Sequence, residues 1–130
     1  MSDNKTIVFE SFAKKAAAKL QERKKLKTKR LYIGDLNETI EIRGLTDQEF
    51  QDCSEYSEDG IKVDKYTIYY ASKDLQSLAS MLVEQGVIKE HLEVMDMFKP
   101  ADRKKLANEV LRLSGVLDDT TVKELDEVKN

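Results

Sequence analysis

Residues that do chemistry or break structure are scarce in this chain of 130 residues, which has one cysteine, one histidine, one proline and no tryptophan. A lone Cys53 excludes an intrachain disulfide, and nothing demands an oxidising compartment. With His91 the only histidine, one chain cannot assemble a zinc site from His and Cys. A Cys–His pair remains formally open, but Cys53 lies on the same helical face as Phe50, as a buried small apolar residue would. His91, between Glu90 and Leu92, reads as a surface or rim position. The glycines at 34, 44, 60, 86 and 115 are isolated, without the spacing that cradles phosphate. Asp35, Glu38 and Glu41 could gather around a cation but lack the oxygen-ligand spacing of a calcium loop. No apolar run approaches the roughly 18–20 residues that cross a bilayer. Ile7-Val8-Phe9 is too short for the core of a signal peptide and has charged neighbours. The expectation is a non-enzymatic cytoplasmic protein with no cofactor, no metal and no membrane contact. A single proline, Pro100, permits long helices almost everywhere.

Charge is abundant, and it is unevenly placed. Residues 1–33 carry ten Lys or Arg against Asp3, Glu10 and Glu22, a balance of +7. The remainder carries twelve bases against twenty-two acids, a balance of −10, with Asp118, Asp119, Glu124, Asp126 and Glu127 clustered at the end. The basic block Arg23-Lys24-Lys25 to Lys27, Lys29 and Arg30 has three readings: a solvated face with a polar linker, an arm for an acidic protein surface, or an arm for phosphate. It lacks the aromatic residues on which single-stranded nucleic acid stacks.

Hydrophobic periodicity organises the rest. Phe9, Phe12, Ala13, Ala16, Ala17 and Leu20 form one stripe of an amphipathic helix that gives way to the lysine-rich linker. Leu31 and Ile33 mark a strand, Gly34 to Glu38 a turn, and Ile40 and Ile42 alternate with Glu41 and Arg43 in a returning strand. Gly44 breaks that strand. Thr46 and Glu49 then form a capping box, with Leu45 and Phe50 at hydrophobic-staple positions. By this logic losing Thr46 costs more than losing Glu49, and Phe50, Cys53 and Tyr56 point inward. Ser57 to Gly60 is a loop. From Val63 the chain reads as helical, with Tyr66, Tyr69 and Tyr70 as core, a break near Ser72-Lys73-Asp74, and a Leu75, Leu78, Ala79, Leu82, Val83 stripe ending at Gly86. A short apolar stretch, Ile88 to Phe98, precedes a helix from about Ala101–Asp102 to Gly115. Met81, Met95 and Met97 fill the core or line an adaptable groove. Thr121 and Glu124 are placed for a box on a small terminal helix.

The length fits one domain. The expected class is α+β, mostly helical, with one small antiparallel hairpin near residues 29–43. Residues 1–28 would be a basic helix and linker, 29–116 the core, and 117–130 an acidic helix or tail.

The order of these pieces suggests a family. A charged amphipathic start leads to Ile40-Glu41-Ile42-Arg43-Gly44-Leu45-Thr46 with Glu49, then Cys53, a Gly-containing loop and Val63-Asp64-Lys65-Tyr66 opening a helix. Phe98-Lys99-Pro100-Ala101-Asp102 follows, with Leu106, Val110 and Ser114-Gly115. Over roughly residues 10–116 this resembles the tail assembly chaperones of long-tailed phages and of defective prophages in Gram-positive bacteria. It departs from their pattern between Lys73 and Gly86, where an unbroken leucine stripe replaces a proline-containing connection. The resemblance implies a non-enzymatic protein of the host bacterial cytoplasm. It would coat the long, apolar tape measure protein and keep it soluble while the tail tube assembles, in contact with tube components and open to homo-oligomerisation. The expected partner-binding residues are Phe9, Phe12 and Leu20, with Arg23, Lys24 and Lys25 beside them. Their stripe either folds back onto the Leu75–Val83 helix or meets a partner.

The first alternative is a nucleic-acid-binding regulator using the basic arm at 14–30. Its helices, however, offer mainly Lys, Glu and Leu rather than an Arg-, Asn- or Gln-rich reading surface. The second is a small enzyme built on Cys53 and His91.

Overall fold

The computed structural model describes residues 2–55 and 58–125, with side chains from Val8 onward. Among them run, in order, helix α1 (Ser2–Lys24), strands β1 (Thr28–Ile33) and β2 (Glu38–Arg43), and helices α2 (Asp47–Glu55), α3 (Gly60–Ala71) and α4 (Lys73–Glu84). A 3₁₀ helix (His91–Met97) and helix α5 (Pro100–Leu113) complete the order. The protein is α+β, mostly helical, with one two-stranded antiparallel sheet.

Helix α1 is longer than its apolar stripe suggested, because no proline or glycine interrupts it and Arg23 and Lys24 complement its carboxyl end. The linker therefore shrinks to Lys25–Lys27. The hairpin expected from about residue 29 begins one residue earlier, with Thr28 to Arg30 paired with Arg43 to Glu41. The hairpin turns over Gly34–Asn37, with Asn37 in the left-handed region at φ 52° and the Tyr32 hydroxyl donating to its Oδ1 at 2.6 Å. Ile33, Ile40 and Ile42 on one face are buried, while Arg30, Tyr32 and Glu41 on the other face water.

That buried face meets Ile68, Ala71, Leu75, Ala79, Val94, Met95, Leu106 and Val110, one core assembled from α3, α4, α5 and the 3₁₀ helix, which Cys53 of α2 joins. Ser72 makes the sharp passage from α3 to α4. Its hydroxyl accepts from Leu75 N–H at 3.2 Å, and Gln76 Nε2 donates to the last α3 carbonyls, those of Tyr69 and Tyr70. The break expected near Ser72 to Asp74 stands there. Outside the sheet, the Asp74 carboxylate takes the outward Glu41 N–H at 2.8 Å and so ties α4 to the edge of β2.

Some expectations change. Cys53 is fully buried, while Phe50 is only half-buried and packs against the core from outside it. Tyr56 and Ser57 lie outside the described residues. The stretch before Pro100 is the 3₁₀ helix, opened by a Glu90–Glu93 capping box that short apolar runs do not advertise. Helix α3 starts at Gly60, capped by Asp59, rather than at Val63. Helix α5 begins with Pro100 itself, whose missing N–H costs nothing there. Near the chain's end Thr120, rather than Thr121, accepts a backbone N–H, from Val122. Residues 119–124 are not helical; the expected small terminal helix appears at Leu125 and otherwise, with Asp126 and Glu127, lies outside the described residues.

Candidate partner-binding surface

The residue types able to do chemistry do not converge. Cys53 is enclosed beside Thr67, and burial pushes its thiol up, so it stays protonated. His91 is exposed at the start of the 3₁₀ helix. Asp35 pairs with Lys99 at 3.4 Å rather than with Glu38 and Glu41 around an ion. Among the described residues no group of three His, Cys, Asp or Glu side chains could hold a metal, and no helix is long and apolar enough to cross a membrane. Met95 is core, while Met81 faces water on α4, so the methionines line no common groove.

The charged groups that are buried serve architecture. Glu109 on α5 is 4% exposed and receives Lys29 Nζ from β1 at 3.1 Å, Arg112 Nη1 at 2.8 Å and Lys105 Nζ at 3.2 Å. Lys29 first and Lys105 next hold its carboxyl down to about 2. No local pattern marks this hub in advance, since Lys29 and Glu109 stand eighty residues apart. At the strand-to-helix junction the capping box is present in both halves, Glu49 N–H to Thr46 Oγ1 at 3.2 Å and Thr46 N–H to Glu49 Oε1 at 3.1 Å. Arg43 adds a bidentate grip on the Glu49 carboxylate at 2.9 and 2.7 Å, and this drives its value down to about 2. Gly44 has a role other than breaking the strand: a Cβ there would stand 2.9 Å from the Leu113 carbonyl oxygen. Leu45 N–H donates to Ser114 Oγ beside it at 2.8 Å, so the β2–α2 turn is seated against the end of α5.

What remains unabsorbed is α1. Phe9 is 78% exposed, Phe12 71% and Leu20 65%, and among the described side chains of this helix, from Val8 onward, none belongs to the core. The helix does not fold back onto α4. Helical spacing puts the three large side chains on one face with Ala13 and Ala16 between them and Arg23 one turn on. Lys24 and Lys25 sit at the flank and the helix end, all exposed. Lys19, on the flank away from Lys24, pairs with Glu22 at 3.1 Å. Where α1 meets the body, half-buried Leu26 shares a cleft of about 340 Å³ with Leu45, Leu113 and Asp118. The predicted partner residues thus share a projecting helix.

No family model matches the chain, and no curated protein or solved structure matches it.

Proposed function

We propose that this protein is a tail assembly chaperone of a long-tailed phage or prophage, binding the tape measure protein in the host bacterial cytoplasm and keeping it soluble while tube components assemble. The observation that carries the reading is α1, an extended helix whose phenylalanines and leucine lie outside the core that folds the rest of the chain. An apolar helix face in water is a binding surface awaiting a partner. A long helical client offers many such faces in series, so weak grips by many copies add up without any one being tight. The resemblance adds support. Its signature residues Arg43-Gly44-Leu45-Thr46 and Ser114-Gly115, far apart in sequence, meet at the junction that fixes the body. In this reading Phe9, Phe12 and Leu20 grip apolar client residues, and Arg23, Lys24 and Lys25 set charge preference. No chemical step is assigned to it.

The test is co-expression of the full chain with a tape measure fragment. The parent is expected to keep the fragment in the soluble fraction. A Phe9→Ser, Phe12→Ser, Leu20→Ser triple variant, folded by circular dichroism, is expected to lose most of that effect. A fragment that precipitates equally with and without the parent would sink the assignment.

A further inference from the structure

The apolar face of α1 has a spacing that complements itself. Phe12 and Leu20 lie four residues either side of Ala16, and Phe9 and Arg23 lie seven either side. If a second copy of the helix runs antiparallel across a two-fold axis at Ala16, each Phe12 meets Leu20 of the other copy. The alanines then meet at the centre, and each Phe9 ring meets an Arg23 guanidinium. On one flank Glu10 comes beside Lys24 of the other copy, opposite charges that the parallel arrangement would keep apart; on the other flank Lys15 comes beside Lys19, whose charge Glu22 of its own helix offsets. The small residue at the centre lets the two backbones approach closely, while the large side chains close both ends.

We propose that α1 pairs with α1 of a second copy in this antiparallel register, making the protein a homodimer. The area supports a weak dimer. Four phenylalanines and two leucines, at roughly 150–250 Å² for a fully covered aromatic ring, bury on the order of 1,000 Å² with their neighbours, the low end for a specific interface. Among the described residues nothing covers that face, and Phe9, Phe12 and Leu20 stay exposed. The proposal concerns the protein alone and does not depend on what its client is. If a client uses the same face, dimer and client compete for it.

The experiment is mass by sedimentation over a concentration series, on the full chain. The parent is expected to move from monomer to dimer as concentration rises. Phe12→Lys alone and Leu20→Glu alone are each expected to stay monomeric with unchanged far-ultraviolet spectra. Mixing the two variants is expected to restore dimers, because only the antiparallel register sets the new lysine against the new glutamate. An Ala16→Cys variant should form a disulfide dimer on mild oxidation, within the reach of about 4.4–6.8 Å between Cα atoms. Ala18→Cys, on the opposite face, should not, and the enclosed Cys53 gives no background. A parent that stays monomeric throughout overturns the proposal. So does a mixture that fails to dimerise, or equal cross-linking at 16 and 18.

Discussion

Helix α1 and the body it springs from are built by opposite rules. The body spends its apolar residues inward: Ile42, Ile68, Leu75, Leu106 and Val110 are buried to 2% exposure or less. It also ties its polar strands together with specific groups, Glu109 to β1 and Asp74 to β2. Helix α1 has neither device. It keeps its phenylalanines in water and is held by backbone hydrogen bonds and alanine-rich propensity, without the tertiary packing that supplies most helical stability in proteins. The contrast separates a part whose sequence answers to its own fold from a part whose sequence answers to something outside it.

The sharpest way to break that comparison is to damage the core. Ile42→Ala and Ile68→Ala each remove a side chain no more than 1% exposed, and each should cost about 2–5 kcal/mol. Urea melts at neutral pH check this. A loss below about 1 kcal/mol at both sites would mean that the hairpin is not seated on the helices.

Next comes the Glu109 hub. Glu109→Ala leaves Lys29, Lys105 and Arg112 free to rehydrate, since each is about half or more exposed, so the loss should sit near about 1.5–3 kcal/mol, the range for hydrogen bonds to charged groups. The pH dependence is a cleaner readout. The folded carboxyl titrates near 2 against an ordinary value of 4.5, so protonation favours the unfolded chain. Its stabilisation is complete above pH 4.5 and is lost as pH falls towards 2. Glu109→Gln should therefore narrow the gap in unfolding free energy between pH 7 and pH 3; an unchanged gap would place the titration elsewhere.

At the strand-to-helix junction the structure reverses an order the sequence suggested. A capping box alone makes Thr46 the larger contributor, with a loss of about 0.5–2 kcal/mol on truncation to alanine. Glu49, however, also holds both arms of Arg43. Glu49→Ala should cost more than Thr46→Ala, at the low end of about 1.5–3 kcal/mol because solvent reaches the pair. Melts of the two variants side by side decide the order.

The pattern of what could be read in advance is physical. Ile40 and Ile42, the Thr46–Glu49 box, the break at Ser72 and the leucine stripe of α4 are local signals, and the fold contains them all. The hairpin expected near residues 29–43 stands, with only Thr28 added to it, because a polar edge residue looks like linker until its partner Arg43 is known. The Lys29–Glu109 tie, the Asp74 cap on β2 and the close approach at Gly44 join residues 33 to 80 apart or pack backbone on backbone, and no periodicity encodes them. For the candidate surface the sequence showed the stripe on α1 but left two places for it. The two differ only in where the helix goes once the linker has shrunk to three residues.

The smallest effect should come from α1 itself. Phe12→Ala removes a phenylalanine, a change that in a core costs about 3–5 kcal/mol. Here the ring is 71% exposed in the folded chain, so little apolar area returns to water on unfolding. The replacement is also the best helix former, which offsets part of what the ring gave to its neighbours. The expected change is within about 0.5 kcal/mol, the range of surface substitutions away from special features. The measurement must be made on dilute protein, where mass shows monomer; at higher concentration the same variant should lose stability with the dimer. A loss above about 2 kcal/mol in dilute solution, the range of a buried side chain, would show that Phe12 packs on the body after all. Helix α1 would then belong to the fold rather than to a partner.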